Sequence, residues 1–208
     1  MLHYQTVDTP TLELLKDLLS IDILKDMRLV GETSLSLQFG HRKSIDIDLF
    51  GKIAADIFEL NNELSRLGEI KVIKGSKNIH VYLINGIKVD LVNYPYPWIG
   101  KLLTTDNLRL ADMEDIAAMK LAAITGRGTK KYFYDLHLLL QHMSLENMFD
   151  LYERKYRDGS LFMVLKSLVY FNDADEDLMP VLLMPVTWDE VKNSILKVYS
   201  EYIANTGG

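Results

Sequence analysis

Two aspartates, Asp46 and Asp48, stand one residue apart in the run Ser44-Ile45-Asp46-Ile47-Asp48-Leu49-Phe50, and a third, Asp90, lies inside Lys88-Val89-Asp90-Leu91-Val92. The first run alternates strictly. As a half-buried strand it turns Ile45, Ile47 and Leu49 to one side and Ser44, Asp46 and Asp48 to the other. The Asp46 and Asp48 Cβ atoms are then roughly 7 Å apart. Carboxylates this close repel unless a positive charge lies between them, and magnesium, a hard cation, takes carboxylates together with water and substrate phosphates. A third carboxylate from a neighbouring strand would complete a two-metal clamp for in-line displacement at phosphorus. Gly31, at the end of an apolar run and before a helix, would let backbone amides and the helix N-terminus approach anionic phosphates.

An Asp-x-Asp pair taken alone is better explained as the solvated face of a strand. The balance shifts because aspartate is disfavoured in strands, yet three occur there, two of them preceded by a glycine turn.

The elements that must position these residues are legible as a mixed sheet followed by helices. Leu12, Leu15, Leu18 and Leu19 recur at helical spacing and open the chain with one or two amphipathic helices. A short strand over 27–30, the turn at Gly31 and a helix over 34–39 closed by Gly40 follow, then the Ser44–Phe50 strand. Ile53, Ile57, Leu60, Leu64 and Leu67 predict a second helix, ended by Gly68. Residues 70–73 predict a strand. Residues 79–84 and 87–92 flank Asn85-Gly86, the strongest two-residue hairpin signal, so the sheet is at least partly antiparallel. Beyond residue 100 the pattern reads as helical to the end, over 112–124, 130–142, 144–157, 160–171 and 188–203, the last with Thr187 and Glu190 as a capping box. The expected fold is α+β: a mixed-sheet core over 1–100 and a helical C-terminal region over 101–208, packed on it as one body.

Composition excludes several classes. Acidic residues outnumber basic ones, 29 to 23, for a net charge of −6, which argues against broad non-specific wrapping of nucleic acid while leaving room for a local basic patch. There is no cysteine, so disulfides, thiolate metal sites and cysteine nucleophiles are out, and any metal must use oxygen or imidazole ligands. No apolar run approaches the ~20 residues of a membrane span, and the N-terminus has neither the basic start nor the apolar centre of a signal peptide. The expectation is a cytoplasmic protein with no membrane partner. No Gly-x-Ser-x-Gly elbow, Walker loop or His-Glu-x-x-His occurs.

The run Leu29-Val30-Gly31-Glu32-Thr33-Ser34-Leu35-Ser36-Leu37 and the run Gly40-His41-Arg42-Lys43 leading into Ser44–Phe50 resemble the AbiEii/AbiGii toxin family of the polymerase β-like nucleotidyltransferase superfamily. Ala118-Met119-Lys120-Leu121-Ala122-Ala123, Arg127-Gly128 and Lys130-Lys131-Tyr132-Phe133-Tyr134-Asp135-Leu136 resemble that family's third block. The resemblance implies a nucleotidyltransferase core with a helical C-terminal region, and a reaction in which an acceptor hydroxyl attacks the α-phosphate of a nucleoside triphosphate and pyrophosphate leaves. It implies Asp46, Asp48 and Asp90 as ligands of Mg2+ or Mn2+, and Lys131 as a catalytic cation. Gly31, Thr33, Ser34, Arg42, Ser44, Arg127 and Asp135 would bind the nucleotide. It implies an RNA (tRNA-like) or protein acceptor, a role in abortive infection or a toxin-antitoxin pair, and a cognate antitoxin. The chain departs from the family pattern at Glu32, where a second glycine is usual, and at Tyr132, where an aspartate is. Those departures support an alternative, a degenerate fold that binds nucleotide or a protein partner without turnover. A phosphohydrolase using the same carboxylates is a third reading.

Other signals carry less. Lys120 and Lys130 are expected on a solvated helix face. Asn172–Asp177 has aspartates at calcium-loop spacing, but Leu178 and Met184 stand where glycine and glutamate are needed, so it is an acidic turn. Tyr94, Tyr96 and Trp98 could stack a base or pack as a surface loop.

Overall fold

Asp8 accepts a hydrogen bond from the Thr11 amide at 2.9 Å and starts the first helix, α1 (Thr9–Ser20), with Pro10 in its first turn. In this computed structural model, which describes residues 1–206, α1 leads through a short 3-10 turn into β1 (Arg28–Leu29), α2 (Gly31–Phe39), β2 (Ile47–Gly51), α3 (Ile57–Ser65), β3 (Ile70–Gly75), β4 (Ile79–Ile84) and β5 (Ile87–Asn93). Two short strands, β6 (Leu103–Thr105) and β7 (Leu108–Leu110), follow. The remainder is helical: α4 (Met113–Gly126), α5 (Lys130–Leu140), α6 (Leu145–Lys155), α7 (Leu161–Leu168), α8 (Asn172–Asp175) and α9 (Trp188–Thr206). Two units emerge, one built from Met1–Tyr96 with Lys101–Asp112, the other from Pro97–Gly100 with the chain from Met113 onward.

The first unit is a seven-stranded sheet in the order β3-β4-β5-β2-β1-β7-β6. The β2/β5 and β1/β7 pairs are parallel and the others antiparallel. Period two decides which face is buried. Ile47 and Leu49 of β2, Val89 and Leu91 of β5 and Tyr82 and Ile84 of β4 are fully buried, in one apolar cluster with Leu14, Leu15 and Leu18 of α1 and Leu60 and Leu64 of α3. Asp48, Phe50, Lys88 and Asp90 alternate with them onto the other face, which is only half covered. Arg109 on β7 donates to the carbonyls of Leu19, Leu24 and Met27 at 2.9–3.1 Å, and so fixes the segment that delivers β1 and Gly31.

Three expectations need correction. The chain beyond residue 100 is not wholly helical: Asp106 and Asn107 both take positive φ (50° and 63°), the backbone of a tight two-residue hairpin turn, and β6 and β7 flank it. Six strand residues are too few for alternation to stand out. The Ser44–Phe50 strand begins only at Ile47, because residues 44–46 are held by hydrogen bonds to other segments, and Ile45 is exposed rather than turned inward. Lys120 and Lys130 are buried, not solvated, for reasons given with the site.

In the second unit, α6 and α7 are capped by Ser144 and Ser160, and α9 opens on the capping box, with Glu190 accepting from the Thr187 amide at 2.7 Å. Asp115 on α4 accepts from the backbone amides of Ile99 and Gly100, both at 2.9 Å, and from the Lys155 ammonium at 2.6 Å, while Lys155 also donates to the Pro97 carbonyl. Phe133, Phe171 and Trp188 form a cluster of tilted and edge-on rings. Among the described residues no helix is long and apolar enough to cross a membrane.

Candidate active site

Parallel pairing of β2 with β5 sets Asp48 directly opposite Asp90 on the half-covered face of the sheet. Burial pushes the Asp48 carboxyl up to about 7; the charges of Asp90 and Glu32 add to this, Lys88 opposes it, and Asp46 adds the least. Lys88, two residues before Asp90 on the same face, donates to Asp90 Oδ2 at 2.9 Å. Its own burial works against its charge, yet that hydrogen bond and the three surrounding carboxylates hold the ammonium above its ordinary range. The other oxygen, Asp90 Oδ1, is buried with no hydrogen-bond partner. Asp46 is half-buried, just before β2 begins.

Gly31 begins α2 with φ +66°, a left-handed conformation that strains any residue with a Cβ. A Cβ there would also lie 2.6 Å from Asp48 Oδ2. The absence of a side chain thus brings the Asp48 carboxylate against the N-terminus of α2, where helix-end amides favour negative charge.

Around this turn lie the other residues singled out in the first unit. Thr33 Oγ1 meets Ser44 Oγ at 2.7 Å and donates to the Asp46 carbonyl, so both side chains are buried fasteners between α2 and the approach to β2. Ser34 is buried and accepts from Gln38 at 3.1 Å. Glu32 is buried too, and its carboxylate meets Arg42 Nη2 at 2.8 Å. Arg42 is only 2% exposed and also donates to the Lys43 carbonyl. The carboxylate that departs from the family pattern is therefore partly offset by a guanidinium from the same motif.

The second unit positions its candidates separately. Lys120 on α4 reaches Asp135 on α5 at 2.6 Å, both buried, with the Lys120 ammonium 4.5 Å from the centre of the Tyr132 ring. That pair removes Lys120 from the solvent face on which it was expected. Lys130 is buried because its ammonium donates to the carbonyls of Asp175 and Asp177, and its amide to Asp177 Oδ2 at 2.9 Å. The acidic turn thus caps α5. Arg127 and Lys131 line a groove of about 370 Å³ with Thr129, Asp177, Leu178 and Pro180. Trp98 lies against the Lys155 ammonium, whereas in the first unit Tyr94 packs at a tilt on Phe50 and edge-on with Tyr96.

Among the described residues no three acidic or histidine side chains already stand as a closed cage for an ion. The donor set nevertheless fits a hard divalent cation: every donor is a carboxylate oxygen, burial and the neighbouring carboxylates disfavour the charged form of Asp48 in the absence of further positive charge, and Asp90 Oδ1 is buried and unsatisfied. Lys88 is the residue that sequence reasoning passed over, although period two already placed it beside Asp90.

Residues 13–196 match the model of the nucleotidyl transferase AbiEii toxin family, a type IV toxin-antitoxin system. The uncharacterized protein aq_aa25 of Aquifex aeolicus (strain VF5) is 33% identical over 199 residues, 93% of this chain and 96% of that one. Among solved structures, JHP933 from Helicobacter pylori superimposes with a TM-score of 0.51 at 20% identity, covering 97% of each chain. MenT4, the nucleotidyltransferase toxin Rv2826c from Mycobacterium tuberculosis H37Rv, gives a TM-score of 0.59 at 16% identity over 89% of this chain and 79% of that one. At such identities the structures share a fold with this chain.

Proposed function

The chain belongs to the AbiEii nucleotidyltransferase toxin family, and from that membership we propose that it is a metal-dependent nucleotidyltransferase which moves a nucleoside monophosphate from a nucleoside triphosphate onto an RNA or protein hydroxyl. The observation that carries this reading is the facing pair Asp48 and Asp90 on β2 and β5, pressed against the glycine turn that opens α2.

Asp46, Asp48 and Asp90 would hold Mg2+ or Mn2+, which when bound neutralises developing phosphate charge and acidifies the attacking hydroxyl. Gly31 lets the nucleotide's phosphates approach the amides of α2. Lys88 holds Asp90 by one oxygen and leaves Oδ1 to orient the acceptor hydroxyl and take its proton. The new bond joins that oxygen to the α-phosphorus as the bond to pyrophosphate breaks. The family resemblance assigns Arg127, Lys131 and Asp135 to the phosphates as well; within the second unit Arg127 and Lys131 share one groove, and the Lys120–Asp135 pair ties α4 to α5. Arg42 acts indirectly, by offsetting part of the charge of Glu32. The partners of this activity are a nucleoside triphosphate, the acceptor and a cognate antitoxin.

The departure at Glu32 is compatible with turnover, because the buried Arg42 guanidinium offsets part of the negative charge that Glu32 brings to the turn. The test is incubation with each α-labelled nucleoside triphosphate, magnesium or manganese, and total cellular RNA, beside Asp46→Ala and Asp48→Ala. Label entering RNA or protein, and lost in both variants, is the expected result. No transfer and no metal-dependent nucleotide binding by calorimetry would leave the degenerate reading in its place.

A further inference from the structure

The carboxylate face of the sheet does not end at Asp90. Cross-strand partners share a face, so the registers Asp48 with Asp90, Asp90 with Val81 and Val81 with Lys74 form one continuous row from β2 to the sheet edge. Lys88, Leu83 and Lys71 form the row beside it. Lys71 and Lys74 are three residues apart and would face opposite ways in a regular strand. A shift of register between Val72 and Lys74 absorbs Ile73 as an extra residue and returns Lys74 to the side of Lys71. Both lysines are exposed.

Lysines on an edge strand commonly discourage strand-to-strand aggregation, and for that purpose either face serves. The bulge does something more selective, since it sets both lysines on the face of the sheet that carries Asp48 and Asp90. From Ile70 to Val89 the chain holds four lysines and no acidic residue, against 29 acidic residues in 208 overall. Neighbouring strands lie about 4.8 Å apart, so three strand steps set Lys74 about 14 Å from Asp48. Flanking the carboxylates on the same face, the rings of Phe50, Tyr94 and Tyr96 follow one another at 5.3 Å, and Tyr96 is exposed.

We propose that this basic edge is the bed for a single-stranded nucleic-acid acceptor, its terminal hydroxyl at Asp48 and Asp90, its phosphates crossing β5 and β4 to Lys74 and Lys71, and a base stacked on Tyr96. The inference rests on the nucleotidyl-transfer reading and adds to it which acceptor class is used and where it lies. Lysine ammonium groups spaced along a groove track a polyanionic backbone without reading sequence, which suits an acceptor held by its end.

The test measures binding of a labelled single-stranded RNA oligonucleotide to the full chain by fluorescence anisotropy across a salt series. The variants are Lys71→Glu with Lys74→Glu, and Lys77→Glu as control. Lys77 is in the same basic segment but lines, with His80, Leu60 and Asn93, the groove on the opposite face. The double variant is expected to weaken binding by about tenfold or more and to flatten the slope of log affinity against log salt by about 1.4, two phosphate contacts at about 0.7 each. Lys77→Glu should stay within about twofold of the parent, since the added charge is the same per site but faces away. Equal losses per substituted lysine in the double variant and in Lys77→Glu, no loss in the double variant, or label transferred to protein rather than RNA in the transfer assay would overturn the proposal. Calorimetry with metal and triphosphate separates the two levels: a parent chain that binds nucleotide but no RNA overturns the acceptor bed alone, and one that binds RNA but no nucleotide overturns the transfer reading on which it rests.

Discussion

Asp48 Oδ2 lies 2.6 Å from the point where a Cβ on Gly31 would stand, so the position that opens α2 and the carboxylate opposite Asp90 cannot be varied independently. The φ of +66° would strain alanine at Gly31 even in open space.

Gly31→Ala is therefore expected to cost about 2 kcal/mol or more in urea unfolding and to weaken metal-dependent nucleotide binding. Gly86→Ala is the matched control. Gly86 also has positive φ, +81°, but open space around its missing side chain, so it should pay the backbone strain, about 1 kcal/mol, and leave nucleotide binding intact.

Asp48→Asn should stabilise the apo protein at alkaline pH. A carboxyl whose folded pKa is raised from 3.8 to about 7 favours the protonated form in the folded chain. Its stabilising contribution is complete below about pH 4 and is lost as pH rises through 7. The variant does not titrate, so its unfolding free energy relative to the parent should climb between pH 4 and pH 8 by a few kcal/mol. Thermal melts across that range in chelator check the sign; a difference that is flat with pH would show that Asp48 is not held in its protonated form.

Breaking the Glu32–Arg42 pair from one side should be far more damaging than removing both partners. Arg42→Leu leaves a buried carboxylate beside Asp48, and Glu32→Gln leaves a buried guanidinium with a weakened partner, each at a cost of about 3–5 kcal/mol. The double variant should recover much of this. A double-mutant cycle by chemical denaturation measures the coupling, and simple additivity would show that the pair carries no energy of its own.

Asp115→Asn should destabilise the second unit specifically. Asp115 holds two amides of the 97–100 segment and the fully buried Lys155, so neutralising it takes a carboxylate away from a buried ammonium. A loss of about 3 kcal/mol or more is expected, with faster amide exchange at Ile99 and Gly100. Lys155→Met with Asp115→Asn should restore part of the loss but not the protection of those two amides.

Much of this arrangement was written in local pattern. The alternation through Ile47, Asp48 and Leu49 fixes which side chains share a face, and the hairpin at Asn85-Gly86 fixes the register of β4 on β5 without any long-range information. The parallel pairing that sets Asp48 opposite Asp90 joins residues 42 positions apart with no turn between them to declare it. Glu32 with Arg42, Lys120 with Asp135 and Asp115 with Lys155 were illegible for a related reason: a buried charge and a solvated one look alike in sequence, and only the tertiary partner distinguishes them. Lys88 is different. Its place beside Asp90 followed from the same alternation that exposed the aspartates, and the residue type, common on open strand faces, hid it.

The three hydrogen bonds from Arg109 set a timetable for the newborn chain. The carbonyls of Leu19, Leu24 and Met27 wait 82 to 90 residues for their donor, and β1, only two residues long, waits for Leu110 to gain its second neighbour. The opening segment thus leaves the ribosome well before its last contacts can form, and β1 lies against β2 alone until β7 arrives. The carboxylate pair needs only β2 and β5, so Asp48 and Asp90 can meet while the segment that delivers Gly31 still lacks its donor, and the two halves of the site mature in that order.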